Sequence, residues 1–292
     1  MSVLCSSAAR AETITLPLQK FTPSSTMEIR CTQGTQSLSI PIPDRWNLLK
    51  ANISLRYTVS NNLIGDISQM TVRMNGEPVA QTKLNPQNPA TLLDITIPTA
   101  HLKPGYNTLD FVVVQHYLRG ECELPCGPDL WTNISLMDST LQLEYELKPL
   151  PLKLGEVTGL IFDPKQFPEA AVNIVAEKAT PDSVTLATIV ASGIARRFDY
   201  RKVKFGFSSQ IKQGMDNVLI GSEKFAASQG FSNGQQSVSA DTGLLKISHL
   251  PNGAGGVDDR HALLTITGEK SAAIKVVAET LASMTLPYPG TG

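Results

Sequence analysis

Ala51-Asn52-Ile53-Ser54-Leu55-Arg56-Tyr57-Thr58-Val59 decides the fold of the N-terminal half. Ile53, Leu55, Tyr57 and Val59 alternate with Ser54, Arg56 and Thr58, so one face is apolar and the other polar. That is the period of a strand half-buried in a sheet. The same period recurs along the chain on the C-terminal side of this stretch. Met70, Val72 and Met74 alternate and run into Asn75-Gly76, a strong two-residue hairpin signal. Leu93, Ile95 and Ile97 follow, then Leu109, Phe111 and Val113, then Leu141, Leu143, Tyr145 and Leu147. Turns such as Lys103-Pro104-Gly105 separate them. Short alternating strands without a convincing helix predict an antiparallel jelly-roll β-sandwich over residues 13–148.

Residues 149–156 read as a linker, because Pro149 and Pro151 restrict the chain and remove ladder donors. Beyond it the period changes. Ala171-Val172-Asn173-Ile174-Val175-Ala176 is nearly continuous in apolar residues, as in a strand buried on both faces. Thr180-Pro181-Asp182 opens a helix, with Thr180 as N-cap and Pro181 in its first turn. That helix runs to about Arg197 and buries Leu186, Ile189, Val190 and Ile194. Further strands are expected at 202–207, 217–220, 244–248 and 262–267. A second helix over 271–284 buries Ile274, Val277 and Leu281. Strand–helix alternation predicts a small α/β domain over 157–292.

The totals exclude several functions. Lys+Arg 25 against Asp+Glu 26 gives a net charge of -1, so no global field favours nucleic acid or an anionic membrane. No run reaches the roughly 20 apolar residues that span a bilayer. Val3 to Ala11 ends in Ala9-Arg10-Ala11, like the last part of a secretory signal peptide, although the basic start is missing. Residues 1–12 are therefore expected to be a leader remnant on an exported chain. A lipoprotein role for Cys5 is disfavoured, since Leu4 stands where a small residue is needed.

The loop Gln115-His116-Tyr117-Leu118-Arg119-Gly120-Glu121-Cys122-Glu123-Leu124-Pro125-Cys126-Gly127-Pro128-Asp129-Leu130-Trp131 concentrates the groups able to do chemistry. In an exported chain its cysteines suggest a disulfide. Cys122–Cys126 is the expected pair, pairing with Cys31 the alternative, and sequence does not fix the connectivity. Metal binding by Cys122, Cys126 and His116 lacks a second ligand pair. Glu121, Glu123 and Asp129 offer carboxylates for glycan hydrolysis, but nothing fixes their separation. Carbohydrate binding fits better: Trp131 can stack on a pyranose, with Tyr117, Gln115 and Asp129 reading hydroxyls. The competing reading puts Trp131 in the sandwich core. Trp46 reads as a structural cover at a strand start.

Elsewhere, Asn252-Gly253-Ala254-Gly255-Gly256 leads into a strand rather than a helix, so it is a turn and not a phosphate cradle. The stretch Glu177 to Asp182 brings a proline and two carboxylates to the place where a flavin phosphate would bind, which argues against flavin. No Gly-x-Ser-x-Gly elbow occurs. No cofactor is expected.

Several features then fall in order: Ser37-Leu38-Ser39-Ile40-Pro41-Ile42-Pro43-Asp44-Arg45-Trp46, the strand Ala51 to Tyr57, Val72 to Val79, Leu102-Lys103-Pro104-Gly105-Tyr106-Asn107, the loop Cys122 to Trp131, Leu141 to Tyr145, and Ile161-Phe162-Asp163-Pro164. From about residue 13 onward the chain resembles the family of the periplasmic regulatory subunit of bacterial cellulose synthase. The resemblance implies jelly-roll carbohydrate-binding domains alternating with flavodoxin-like domains that hold no flavin. It implies a non-enzymatic periplasmic protein, associated with the inner membrane, whose partners are the catalytic cellulose synthase subunit and the nascent β-glucan. Members often carry the label cyclic di-GMP-binding protein, yet the arginine-rich motif expected for that dinucleotide is missing here. Members usually have a second domain pair and a membrane anchor, so this chain reads as a fragment or a short variant. The rivals are an export-machine scaffold that binds no sugar and a glycan hydrolase.

Overall fold

The computed structural model describes residues 11–283 apart from 121, 168, 200, 232–240 and 253–254. The leader-like segment 1–10, with Cys5, lies outside the described residues. The chain divides into two compact units between Glu146 and Leu147.

In the first unit the alternating stretches become β1 (Glu12–Pro17), β2 (Thr26–Arg30), β3 (Gln33–Ile42), β4 (Trp46–Val59), β5 (Gln69–Met74), β6 (Glu77–Lys83), β7 (Ala90–Ile97), β8 (Gly105–Val114), β9 (Trp131–Ser135) and β10 (Thr140–Leu147). They form a six-stranded sheet, in the order β1-β10-β4-β9-β2 with β7 also on β4, and a four-stranded sheet in the order β3-β8-β5-β6. The registers of β1 with β10, β3 with β8 and β4 with β7 are antiparallel. The apolar half of each alternation is buried: Ile53, Leu55, Tyr57 and Val59 from one sheet, Met70, Val72, Leu109, Phe111 and Val113 from the other. Burying each such side chain stabilises the fold by about 1.5–3 kcal/mol. Asn75 and Gly76 have φ of 53° and 89° and join β5 to β6, the left-handed pair that a tight hairpin needs. Trp46 is buried and stacks on Tyr145 at 3.8 Å between ring centroids.

The second unit contains α1 (Leu154–Ile161), β11 (Ala170–Ala176), α2 (Pro181–Arg197), β12 (Val203–Ser208), β13 (Asp216–Gly221), α3 (Glu223–Ser228), β14 (Gly243–Pro251), β15 (Val257–Gly268) and α4 (Ser271–Ser283). Its sheet runs β12-β11-β13-β15-β14, parallel at β12, β11, β13 and β15, with β14 antiparallel to β15. Val172, Ile174, Val218 and Ile220 pack in one cluster with α1, α2 and α4. Val175, Leu219 and Leu263 pack in another with Phe225 and Ala226 of α3. Burial on both faces is why these strands read as continuous apolar runs. Thr180 caps α2 in a capping box with Ser183. Gly193 lets α4 approach α2, since a Cβ there would lie 2.3 Å from the Cα of Ala282.

The stretch read as a linker departs from that expectation. Leu150 and Leu154 are buried in the second unit's main cluster. The Leu150 N–H donates to the Asp259 carbonyl at 2.8 Å, and α1 already starts at Leu154. Two leucines set among the prolines have an apolar cluster to fill, so the segment docks as the first layer of its unit.

Candidate functional site

The loop between β8 and β9 is built on Gln115. This side chain is buried, donates to the carbonyls of Cys31 at 2.8 Å and Ile29 at 3.3 Å, and accepts from the Thr132 hydroxyl at 2.9 Å. A buried amide must be hydrogen-bonded, and leaving one unsatisfied costs about 1–3 kcal/mol. Gln115 is thus a strut joining the end of β2 to the start of β9, and its amide is engaged inside the fold instead of reading sugar hydroxyls.

Above it, Glu123 organises the backbone. Its Oε1 accepts from the amides of Tyr117 at 2.6 Å and Leu118 at 3.2 Å, and its Oε2 pairs with His116 Nδ1 at 2.6 Å. Burial opposes the charged form, but the hydrogen bonds from His116, Tyr117 and Leu118 outweigh it and hold this carboxyl below the usual glutamate range. From sequence, Glu123 counts among clustered solvated acids. No local pattern shows that a carboxylate will close on amides five and six residues earlier.

The disulfide joins Cys31 to Cys126, 95 residues apart, which corrects the expected Cys122–Cys126 pair. Cys122 is an exposed free thiol. The reason is tertiary. The Thr32 N–H donates to the Pro125 carbonyl at 2.7 Å and the Cys31 N–H to the Leu130 carbonyl at 3.2 Å, which lays the loop on the corner after β2. Cys31 itself takes a left-handed φ of 73° in that corner.

The remaining expected sugar contacts are distributed unequally. The Tyr117 hydroxyl accepts from the Leu124 N–H at 3.0 Å, and its ring lies against Gly127. Asp129 accepts from the Asn62 amide at 2.6 Å. Trp131 is half-buried and opens β9, where Thr132 and Ile134 turn inward and are buried. Asn133 pairs with the exposed Thr58 of β4, so Trp131, two residues from Asn133, stands on the outer face of the six-stranded sheet. An aromatic ring there is outside the sandwich core and half-buried.

The turn Asn252–Gly256 feeds β15 as expected; the Asn252 Oδ1 accepts from the Gly256 N–H at 2.8 Å, and residues 253–254 lie outside the described residues. Among the described residues no cluster of His, Cys, Asp or Glu has metal-ligand geometry, and no helix is long and apolar enough to cross a membrane.

Comparison with known proteins agrees with this two-part organisation. Residues 11–147 match the family model described as cellulose synthase BcsB, first CBM domain, and residues 153–292 match cellulose synthase BcsB, first FD domain. A cyclic di-GMP-binding protein of Xanthomonas axonopodis pv. citri is 26% identical over 276 residues, which cover 90% of this chain and 33% of that protein. A putative cellulose synthase 2 of Komagataeibacter xylinus is 29% identical over 189 residues, covering 64% of this chain and 12% of that protein. A solved family 35 carbohydrate-binding module covers 39% of the chain and 68% of its own at 16% identity and a TM-score of 0.23, too distant to inform a site. The chain spans about a third or less of the length of these curated relatives. With consecutive family models covering nearly all of it, the chain belongs to the cellulose synthase BcsB family, of which it holds the first carbohydrate-binding-module-like domain and the first FD domain.

Proposed function

We propose that this chain is a non-catalytic, periplasmic part of a cellulose synthase complex that guides the nascent β-glucan and supports the catalytic subunit. In this reading the first unit is a jelly-roll that touches the glucan, and the second is a flavodoxin-like body without flavin. The observation that carries it is Trp131, which presents an aromatic ring on the outer face of a domain matched as a carbohydrate-binding module. Ring stacking on the apolar side of a pyranose, with Asp129 and the Tyr117 hydroxyl at the loop rim, suits a neutral polysaccharide held weakly enough to slide.

Hydrolysis is disfavoured by the state of the acids. A glycosidase needs one carboxyl kept protonated by a raised pKa. Glu123 is shifted the opposite way and is bound to backbone amides, while Asp129 holds Asn62. Glu121 lies outside the described residues.

Titration with cellohexaose tests the assignment. Weak binding that falls by at least about tenfold in Trp131→Ala, with the unfolding midpoint unchanged, is the expected result. A parent chain that binds no cello-oligosaccharide would leave the scaffold reading, in which the sandwich meets protein neighbours only.

A further inference from the structure

A second polar site lies on the same outer face, well away from the loop. Thr15 of β1 pairs with Gln142 of β10, Asn52 of β4 pairs with Thr96 of β7, and Ser54 pairs with Asp94. These six side chains, with Thr140, line a cleft of about 360 Å³, within the size range of small-ligand sites. They come from four strands, so at about 4.8 Å per strand the row is roughly 15 Å across.

The lining has a definite chemistry. Asn52, Gln142, Thr15 and Thr96 are neutral groups that both donate and accept. Asp94 is the one charged side chain among the lining residues. Ser54 donates to it at 2.6 Å, and an ionised carboxylate accepts several hydrogen bonds, so it keeps capacity for a ligand hydroxyl. Farther along the face, Lys50 is held by Glu144 at 3.0 Å, which places a neutralised pair next to the cleft. A row of neutral donor–acceptor groups with one acceptor-only carboxylate matches a vicinal diol better than an anionic sugar, which Asp94 would repel.

We infer that this cleft is a second glucan subsite, one that grips a neutral, hydroxyl-rich chain by hydrogen bonds where Trp131 grips by stacking. The inference rests on the glucan-guiding reading above. Trp131 opens β9 beside Ser60, whose N–H donates to the Trp131 carbonyl at 3.2 Å. Ser60 directly follows β4 and lies six residues beyond Ser54, or roughly 20 Å at 3.3 Å per residue. One extended chain lying along β4 can therefore reach both, and affinity should rise with chain length in the parent.

The test titrates cellotriose, cellohexaose and an oligogalacturonide of equal length into the full chain, Trp131→Ala and the double variant Asn52→Ala/Gln142→Ala, with amide chemical shifts followed by NMR. The altered side chains are on the outer face, so the folded spectrum should persist. The double variant should bind cellohexaose about tenfold more weakly than the parent with Trp131 intact, the loss expected for about two hydrogen bonds. Shifts in the parent should include β4 and β7 residues around Asn52 and Thr96, and the oligogalacturonide should not produce them. If the double variant binds as the parent does, or the β7 amides stay unmoved by cellohexaose, the cleft is not a subsite while the reading at Trp131 stands. If the parent binds no glucan at all, the guiding reading and this inference fall together.

Discussion

In β4, Leu55 is fully buried while its neighbour Arg56 is exposed; in β13, the neighbours Val218 and Leu219 are both fully buried. The first pair belongs to a strand with one face in a core, the second to a central strand packed on both sides. A sheet that buries one face keeps a row of side chains every second residue that packing leaves free for recognition. A strand packed on both faces, such as β13, has no such row. The difference between the two strands can be broken by placing charges residue by residue.

The largest expected effects come from that scan. Val218→Asp and Leu219→Asp should each destabilise the second unit by more than about 4 kcal/mol, since either one buries an unpaired charge. Leu55→Asp should do the same to the first unit, whereas Thr58→Asp, on the outer face, should fall within about 0.5 kcal/mol. Urea unfolding followed by circular dichroism reads all four. A tolerated Leu219→Asp would show that the α3 side of the parallel sheet is open, and would remove the contrast.

Next comes the bridge. Closing a ring across 95 residues removes far more disorder from the unfolded chain than closing one across four. The loop-entropy relation gives about 4.7 kcal/mol for the former and about 2 for the latter. Cys31→Ser should therefore cost about 2–5 kcal/mol even if Cys126 then pairs with Cys122. Cys122→Ser should be silent, within about 0.5 kcal/mol. Peptide mapping under non-reducing conditions identifies the pair directly.

These contrasts also mark how far the sequence could be read. Leu55 and Phe111 declared their faces because a period of two is a local property, and Thr180-Pro181 declared the start of α2 because a cap is local as well. Cys31 did not declare its partner: the loop reaches it through the Thr32 and Cys31 backbone bonds, which no spacing of cysteines encodes. Gln115 looked like a free polar group because its partners are carbonyls more than eighty residues earlier. Asn52 and Ser54 were legible as the outer half of an alternation. The cleft was not, because it needs β1, β7 and β10 alongside.

A smaller effect asks whether the two units close their strand-entry loops by the same device. Asn107 accepts from the Lys103 N–H at 2.9 Å and donates to the Lys103 carbonyl at 2.8 Å, closing the turn before β8. Asn217 accepts from the Lys212 N–H at 2.9 Å and donates to the carbonyls of Lys212 and Met215, closing the loop that carries the chain from β12 to β13. Asn173 adds a bond to Asn217 at 2.8 Å. Asn217→Leu strands the Lys212 backbone, while Asn173 keeps its bond to the Ser208 hydroxyl, and should cost about 1–3 kcal/mol. Asn107→Leu should cost a similar amount in the first unit, since it leaves the Lys103 backbone groups without this partner, while Asn75 keeps its bond to the His101 carbonyl. Loss in only one of them would show that the unaffected loop is held by packing and not by the amide.

The smallest expected effect is the acid response of the loop itself. The Glu123 carboxyl is held below its usual value in the folded chain, so between the two values the unfolded state binds more protons than the folded one, and stability rises with pH. Its contribution is complete above the ordinary glutamate value and is lost as pH falls through the lower folded one. The first unit also contains Asp66, shifted the same way by Arg119, so the parent's acid curve alone does not isolate Glu123. The difference between the parent and Glu123→Gln does. That difference in urea midpoint should shrink as pH falls from about 5 into stronger acid, because the variant carries no titrating carboxyl at this position. A gap unchanged into strong acid would mean that Glu123 holds the loop by shape rather than by charge, and His116 and the two amides would then count as neutral contacts.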